Sequence, residues 1–166
     1  MVVFDSSTLI LLARIDMLEI FISTFRGRVV IPERVREEVC IVGREETPLV
    51  NSLIADKKIH ISKVKGGKST EVLMDDFHID RGEAKAITLA LQEKASLLAT
   101  DDRNAIRACK ILKLDFTTAI AFLIRASEKD LLDKDEALAK LAKLETFAGY
   151  NRAIIEDARK KIEGGI

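Results

Sequence analysis

The chain contains the stretch Leu97-Leu98-Ala99-Thr100-Asp101-Asp102, in which a short apolar run ends on a threonine and two acids. A second stretch, Val2-Val3-Phe4 before Asp5-Ser6-Ser7-Thr8, has a similar order of residue types. Short apolar runs that end in polar clusters are typical of strands buried on both faces. The two stretches therefore predict two buried strands, each of which places acidic side chains at its carboxyl end.

Weaker strand signals alternate with strong helix signals along the rest of the chain. Three further strand candidates lie at 28–31, 59–64 and 114–116. Segments with apolar residues every three or four positions predict helices at 8–25, 33–42, 47–56, 83–94, 103–112, 118–126, 134–147 and 151–162. Strands separated by helices require crossover connections. We therefore predict an α/β fold in which a parallel sheet lies between two helical layers, with a helix-rich C-terminus.

Boundary residues refine this prediction. Pro32 fits the first turn of a helix, where its missing N–H costs nothing, and Asp80 with Glu83 forms an Asp-x-x-Glu capping pattern. Residues 65–69, Lys-Gly-Gly-Lys-Ser, are expected to form a flexible loop. The last two helices carry apolar faces, which are expected to pack on the sheet, with a dimer or partner interface as the alternative. Their residues are Leu138, Leu141, Leu144 and Phe147, then Ile154, Ile155, Ala158 and Ile162.

Length and composition bound the class of protein. The 166 residues, 48% hydrophobic and 33% charged, predict one domain over 1–166 with a helical C-terminal extension from about 127 to 166. No apolar run approaches the roughly 20 residues that span a bilayer. Because the first residues also lack the basic leader of a secretory signal, we expect a cytoplasmic protein without a membrane partner. Cys40 and Cys109 lack metal-ligand spacing and are expected in the core.

Basic and acidic residues balance at 27 each, which argues against a uniformly basic surface for nucleic acid. Contacts with a nucleic acid would then be local. The candidates are Lys65 and Lys68, in a lysine-rich stretch without acids, and Arg103 and Arg107, one helical turn apart after the acidic pair. A solvated edge strand protected by lysines explains the first pair equally well, and pairing with nearby acids could explain the second.

Five carboxylates are expected at one edge of the sheet. Asp5, Asp101 and Asp102 follow strands directly, and the carboxyl ends of parallel strands share one edge. Helical geometry turns Glu38 toward the interior. Glu83 begins the helix that leads into the strand before Asp101, so its first turn lies at this same edge.

Such a cluster requires a cation or raised pKa values. Two carboxylates about 5 Å apart repel by roughly 3 kcal/mol at an effective dielectric constant of about 20. One or two Mg²⁺ or Mn²⁺ ions remove this repulsion, because both prefer carboxylate oxygens, and a pair can activate a water for phosphodiester hydrolysis. Helix capping is the alternative, since Asp5, Asp101 and Asp102 could each cap a following helix and Glu83 could close a capping box.

Four local motifs occur in order over residues 1–126: Val-Val-Phe-Asp5-Ser-Ser7, Ile31-Pro32-x-x-Val35-x-x-Glu38-Val39, Asp80-x-Gly82-Glu83-Ala84-x-Ala86-Ile87 and Leu98-Ala99-Thr100-Asp101-Asp102-x-x-Ala105. With them the chain resembles the PIN-domain family, a metal-dependent ribonuclease fold that includes VapC-type toxins. The resemblance implies a central sheet of four or five parallel strands. It also implies frequent homodimers and, in toxin members, an antitoxin protein that covers the acidic groove.

The resemblance also assigns roles to particular residues. It implies catalytic and metal-binding positions at Asp5, Glu38, Glu83 and Asp101, with Asp102 as a possible fifth, and orienting hydroxyls at Ser7 and Thr100. Two departures stand out. Many members have Asp where Glu83 stands, and the family's Thr-x-Asp spacing favours Asp102 over Asp101.

These observations lead to one main expectation and two alternatives. The main expectation is an Mg²⁺- or Mn²⁺-dependent ribonuclease that hydrolyses RNA phosphodiester bonds, with a VapC-like toxin as one candidate role. The first alternative is a catalytically inactive relative that binds RNA or a protein. The second is a phosphoacceptor or phosphatase domain, which would usually add a second acid in an Asp-x-Asp pattern that Asp5-Ser6-Ser7 lacks.

Overall fold

The computed structural model of the chain describes residues 1–164, in which five parallel strands form one sheet. The strands are β1 (Val2–Phe4), β2 (Val29–Pro32), β3 (His60–Ser62), β4 (Leu97–Ala99) and β5 (Phe116–Thr117). They lie in the order β3-β2-β1-β4-β5. The chain builds outward from β1 on one side and then crosses to β4 on the other. The carboxyl ends of β1 and β4 thus meet where the strand order reverses, the usual position of a site in an open α/β sheet.

Ten helices lie in the described part of the chain. They are α1 (Ser6–Arg14), α2 (Leu18–Thr24), α3 (Glu33–Val39), α4 (Thr47–Ala55), α5 (Lys68–Phe77), α6 (Arg81–Gln92), α7 (Arg103–Leu112), α8 (Ala119–Glu128), α9 (Lys134–Phe147) and α10 (Arg152–Ile162). Alternate strand residues enter two separate cores. Val2 and Phe4 pack with α1–α4 and α8–α10, whereas Val3 and Leu98 pack with α5–α7. This arrangement confirms the three-layer α/β/α prediction with five strands.

Two predicted elements differ from the structure. The single helix predicted at 8–25 is two helices, because Asp16 adopts a left-handed φ of 57° between α1 and α2. Helix α5 follows the glycines directly, so the predicted loop at 65–69 ends early and the helix over 68–77 was missed. Its described buried residues are only Thr70 and Leu73, which leaves too sparse an apolar pattern to predict a helix.

The last two helices pack mainly on α8 and on each other. Their buried side chains join the core on the β1–α1 side of the molecule: Ala137, Leu141, Leu144, Ile155, Ala158 and Ile162. Phe147 and Ile154, which belong to the predicted buried faces, remain 43% and 42% exposed. The apolar faces of α9 and α10 are therefore covered in part only.

Local boundary chemistry largely follows the predictions. Asp80 and Glu83 form a complete capping box at the start of α6. Pro32 is the last residue of β2 and occupies the N-cap position of α3, one position before the predicted first turn. Cys109 is buried and Cys40 is half-buried, and both are free thiols. Within residues 1–164, the structure has no helix of the length and apolar character needed to cross a membrane.

Candidate active site

Hydroxyl groups join the carboxyl ends of β1 and β4. The backbone N–H of Asp5 donates to the carbonyl of Ala99 at 3.0 Å. Ser7 Oγ donates to Asp5 Oδ1 at 2.6 Å and accepts from the backbone N–H of Asp101 at 2.9 Å. Thr100 Oγ1 donates to Asp5 Oδ2. Ser7 and Thr100 thus contact the carboxylate that the family resemblance assigns them to orient.

Asp5 is a buried acid at the centre of this network. It is 1% exposed, and it also caps α1 by accepting from the backbone N–H of Thr8 at 3.3 Å. Burial raises the pKa of Asp5 to about 7, against the lowering effect of its hydrogen bonds, and the negative charge of Asp101 raises it further. The same Asp5 side chain therefore caps α1 and lies at the candidate site.

Asp101 is held by donors from three separate parts of the chain. Thr8 Oγ1 donates to Oδ2 at 2.6 Å, and the backbone N–H of Ala119 lies 3.1 and 3.3 Å from the two oxygens. The phenol of Tyr150 donates to Oδ1 and accepts from the backbone N–H of Ile120 at 3.3 Å. Burial raises the pKa of Asp101. Its carboxylate therefore contacts the start of α8 and does not cap α7. The capping alternative, which expected Asp101 to cap the helix that follows its strand, is wrong for this residue.

Asp102 instead caps α7. Its Oδ1 accepts from the backbone N–H of Ala105 at 2.8 Å, and its own N–H donates to Thr100 Oγ1 at 3.3 Å. Both Asp101 and Asp102 line one cavity at this edge of the sheet. The two adjacent acids thus hydrogen-bond different helices, Asp102 to α7 and Asp101 to α8, but both line the same cavity.

Glu83 lies at the same edge, in the first turn of α6. Its Oε2 accepts from the backbone N–H of Asp80 at 2.9 Å, and its own N–H donates to Asp80 Oδ1 at 2.8 Å. Burial raises the pKa of Glu83 to about 8, and the nearby negative charges of Asp80, Asp102 and Asp5 act in the same direction. The capping box explains the local position of Glu83, which also lines the same cavity as Asp101 and Asp102.

Glu38 approaches α6 from the neighbouring helix α3. A Cβ atom at Gly82 would clash with both carboxylate oxygens of Glu38, so the absence of a side chain at Gly82 makes this approach possible. Arg34 Nε lies 3.2 Å from Glu38 Oε1. Glu38 is half-buried, whereas Glu37 is exposed, which matches the helical geometry expected from the sequence.

The four predicted phosphate-binding side chains are not brought together. Arg103 lines the cavity that contains the acids. Arg107 points elsewhere, since its Nη2 donates to the carbonyl of Phe77 at 3.5 Å. The backbone of Lys65 hydrogen-bonds the side chain of Gln92 at the last residue of α6, about 14 Å along the helix from Glu83.

Lys68 lines a different cavity with Leu91 and Gln92, near the end of α6 that lies away from the acids. Of the predicted basic residues, Arg103 alone lines the acidic cavity within the part of the chain that the structure describes.

Sequence reasoning missed three residues that shape the site. Thr8 belongs to the stretch Val2–Thr8, where it could have been noted as one more hydroxyl beside Asp5. Gly82 lies inside the third motif, but only its packing against Glu38 shows why a glycine stands there. Tyr150 is the single tyrosine of the chain, and its partner Asp101 is 49 residues away, so no local pattern connects them.

The donor set fits a hard divalent cation. Within residues 1–164, no three His, Cys, Asp or Glu side chains form a ready metal cage. Mg²⁺, however, usually keeps several waters and binds through only one or two protein carboxylates. Asp5, Glu83 and Asp101 have raised pKa values, and none of the ion pairs in the described part of the chain involves them. A divalent ion would supply the positive charge that these carboxylates lack.

The parallel sheet and the acids at the carboxyl ends of two neighbouring strands define a protein with a nuclease-type α/β fold. The family model of the PIN domain matches residues 1–163. The chain therefore belongs to the PIN-domain family. A comparison with curated proteins gives no match.

Proposed function

We propose that the protein is a ribonuclease that hydrolyses phosphodiester bonds of RNA with one or two Mg²⁺ or Mn²⁺ ions. The observation that carries this proposal is the environment of Asp5. This carboxylate is 1% exposed, accepts hydrogen bonds from the hydroxyls of Ser7 and Thr100, and has no ion-pair partner among residues 1–164. A buried charge without a counter-ion is costly, and a metal ligand is a physical reason to keep one.

Each acid has a proposed role in holding the ions. Asp5, Glu38, Glu83 and Asp101 would bind directly or through water, and Asp102 would assist. When bound, such ions supply positive charge at the scissile phosphate and activate the attacking water.

The remaining residues orient the acids and the substrate. Ser7 and Thr100 fix the two oxygens of Asp5, and Thr8 fixes one oxygen of Asp101. Arg103, in the wall of the same cavity, can donate to a phosphate oxygen of the RNA backbone. Arg34, one turn earlier on α3, restrains Glu38 through an ion pair.

The proposal predicts that Asp5→Asn abolishes cleavage and leaves the fold intact. We expect the rate of cleavage of single-stranded RNA to fall by more than about 100-fold, since losing even an outer partner of a metal ligand costs about 10- to 100-fold. Asp115→Asn is the matched control, because Asp115 is exposed and precedes β5, at the opposite edge of the sheet. The readouts are gel analysis of cleavage in Mn²⁺ and circular dichroism of both variants. Full activity of Asp5→Asn, or of the wild type in chelator, would contradict the proposal.

A second candidate function is RNA or protein binding without catalysis. It is favoured by the helix caps at Asp5 and Asp102 and the capping box at Glu83, which give these acids a structural task. Calorimetric titration with Mn²⁺ separates the two functions, because a binding module has no need to take up the ion. A toxin role is tested separately, by comparing growth of cells that express the wild type or Asp5→Asn.

A further inference from the structure

A cavity of about 640 Å³ opens beside the acidic edge. On one side it is lined by Ser7, Glu83, Asp101 and Asp102. The opposite side is formed by the connection between α9 and α10, which follows the end of the sheet by some thirty residues. Its volume falls within the range of about 300–1,000 Å³ that is common for small-ligand sites. The cavity includes the proposed cleavage site but extends beyond the acids to the connection between α9 and α10, which has no part in the proposed metal binding.

Two large apolar side chains stay exposed in this cavity. Phe147 is 43% exposed and Ile154 is 42% exposed, although the helical pattern places both on faces that should be buried. Among the large hydrophobic side chains exposed within residues 1–164, Phe147 is the one aromatic ring. Apolar side chains concentrated beside a polar edge are typical of a ligand site rather than of ordinary surface.

The apolar wall is held in place before any ligand arrives. The guanidinium of Arg14 lies 5.3 Å from the centroid of the Phe147 ring and is itself fixed by Glu46 at 3.3 Å. Tyr150 anchors the connection between α9 and α10 through its hydrogen bond to Asp101. Asn151 caps α10 by accepting from the N–H of Ile154 at 2.9 Å. A preorganised wall of this kind lowers the ordering cost of binding.

We propose that this cavity takes one unstacked nucleobase of a single-stranded RNA, with Phe147 as its stacking surface. The inference rests on the proposed function, because an RNA backbone at the acidic edge brings an adjacent base to the cavity mouth. A base offers apolar faces to an aromatic ring and polar groups at its rim, and it is free to enter only when it is not paired. Arg103, which also lines the cavity, is positioned for the phosphate of that nucleotide.

The test compares binding of two strands that differ only in their bases. The probes are a fluorescein-labelled single-stranded RNA of about twelve nucleotides and the same ribose-phosphate strand without bases. They are titrated by fluorescence anisotropy against the Asp5→Asn protein, which is not expected to cut them. We expect the strand with bases to bind about tenfold tighter, within the range for one base–aromatic stack. A fully paired duplex of the same sequence should not show this tenfold tighter binding relative to the strand without bases, because its bases are not free to enter the cavity.

Variants of the cavity locate the effect. Phe147→Ala should remove most of the tenfold preference, and Phe147→Trp should keep it because an aromatic surface remains. Ile111→Ala is the control, since Ile111 is 62% exposed and does not line this cavity. Melting curves show whether each variant is folded.

Two results would overturn the inference. One is equal binding of the strands with and without bases, which is also what a cavity for a polypeptide segment would give. The other is a preference that Phe147→Ala leaves unchanged. Failure of the proposed function has a different signature, because wild-type protein would then leave RNA uncut in Mn²⁺ while the binding preference persists.

Discussion

Asp5, Glu83 and Asp102 take part in helix capping, and the proposed function assigns the same side chains to a metal site. Asp5 and Asp102 cap helices and Glu83 closes a capping box, and all three lie at one edge of the sheet. Capping accounts for their local hydrogen bonds. It does not account for the burial that raises the pKa values of Asp5 and Glu83 well above those of ordinary carboxyl groups. This additional burial is the residue-level observation that supports the proposed site.

The pKa of Asp5 predicts how the metal-free protein responds to pH. The folded protein binds this proton more tightly than the unfolded chain, because the pKa is about 7 rather than 3.8. Stability is therefore highest below the unfolded pKa and is lost as the pH rises through about 7, by an amount of about 4 kcal/mol. In chelator, we expect the melting temperature of the wild type to fall as the pH rises from about 4 to about 7, and this carboxyl group contributes little further change above that range.

Asp5→Asn serves as the comparison for this pH profile. The variant should be more stable than the wild type at high pH and should lose much of the pH dependence of stability. Glu83 and Asp101 supply the remainder, because burial raises their pKa values as well. Differential scanning calorimetry in chelator measures both profiles. Parallel profiles for the two proteins would show that the buried charge at Asp5 is not the cause.

At the level of elements, the contact between α3 and α6 determines where Glu38 lies. Gly82 leaves room for the Glu38 carboxylate against the first turn of α6, close to Glu83. The predicted inward turn of Glu38 follows from the spacing of Val35 and Val39, which are both buried. The distance to α6 does not follow from that spacing, because it depends on how closely two helices from different parts of the chain approach.

Gly82→Ala is expected to separate activity from stability. The new Cβ would push the flexible end of Glu38 away from α6, while alanine is favoured over glycine in a helix by up to about 1 kcal/mol. We expect a melting temperature close to that of the wild type and a clear drop in Mn²⁺ affinity and RNA cleavage. Calorimetry and a cleavage assay measure the two effects. Gly67→Ala is the control, because among residues 1–164, apart from Gly67 and its two chain neighbours, no heavy atom lies within 4 Å of a Cβ at that position.

If the Gly82→Ala protein were unfolded, the added Cβ would have displaced the backbone rather than the end of the Glu38 side chain. Unchanged metal affinity in a folded variant would remove Glu38 from the site.

In the whole molecule, the strand order and the last two helices together shape the site. Placing β4 beside β1 brings Asp101 next to Asp5, although 96 positions separate them in the chain. Helices α9 and α10 extend the core beyond α8 and carry Tyr150 to Asp101. The C-terminal extension is thus part of the packed core and forms one wall of the cavity.

Leu144→Ala tests how strongly α9 contributes to the stability of the molecule. Leu144 is 0% exposed in the core that also contains Val2 and Phe4. Truncating a buried leucine to alanine costs about 2–5 kcal/mol, so we expect a large drop in the free energy of unfolding. Ile111→Ala, at a 62% exposed position, should change it little. Urea titrations followed by circular dichroism measure both, and equal small effects would show that α9 packs independently of the core.

The sequence by itself determined the α/β class, the strands β1 and β4 and the helices 103–112 and 134–147, because periodicity and capping act over a few neighbouring residues. It also indicated which acids follow strands, and with its four motifs it pointed to the PIN-domain family, which the match over 1–163 confirms. Tertiary structure alone decided that Thr8 and Tyr150 hold Asp101, that Gly82 admits Glu38, and that Phe147 and Ile154 stay exposed. These contacts join segments that are far apart in the chain, and their energies depend on packing distances that no local pattern of residues encodes.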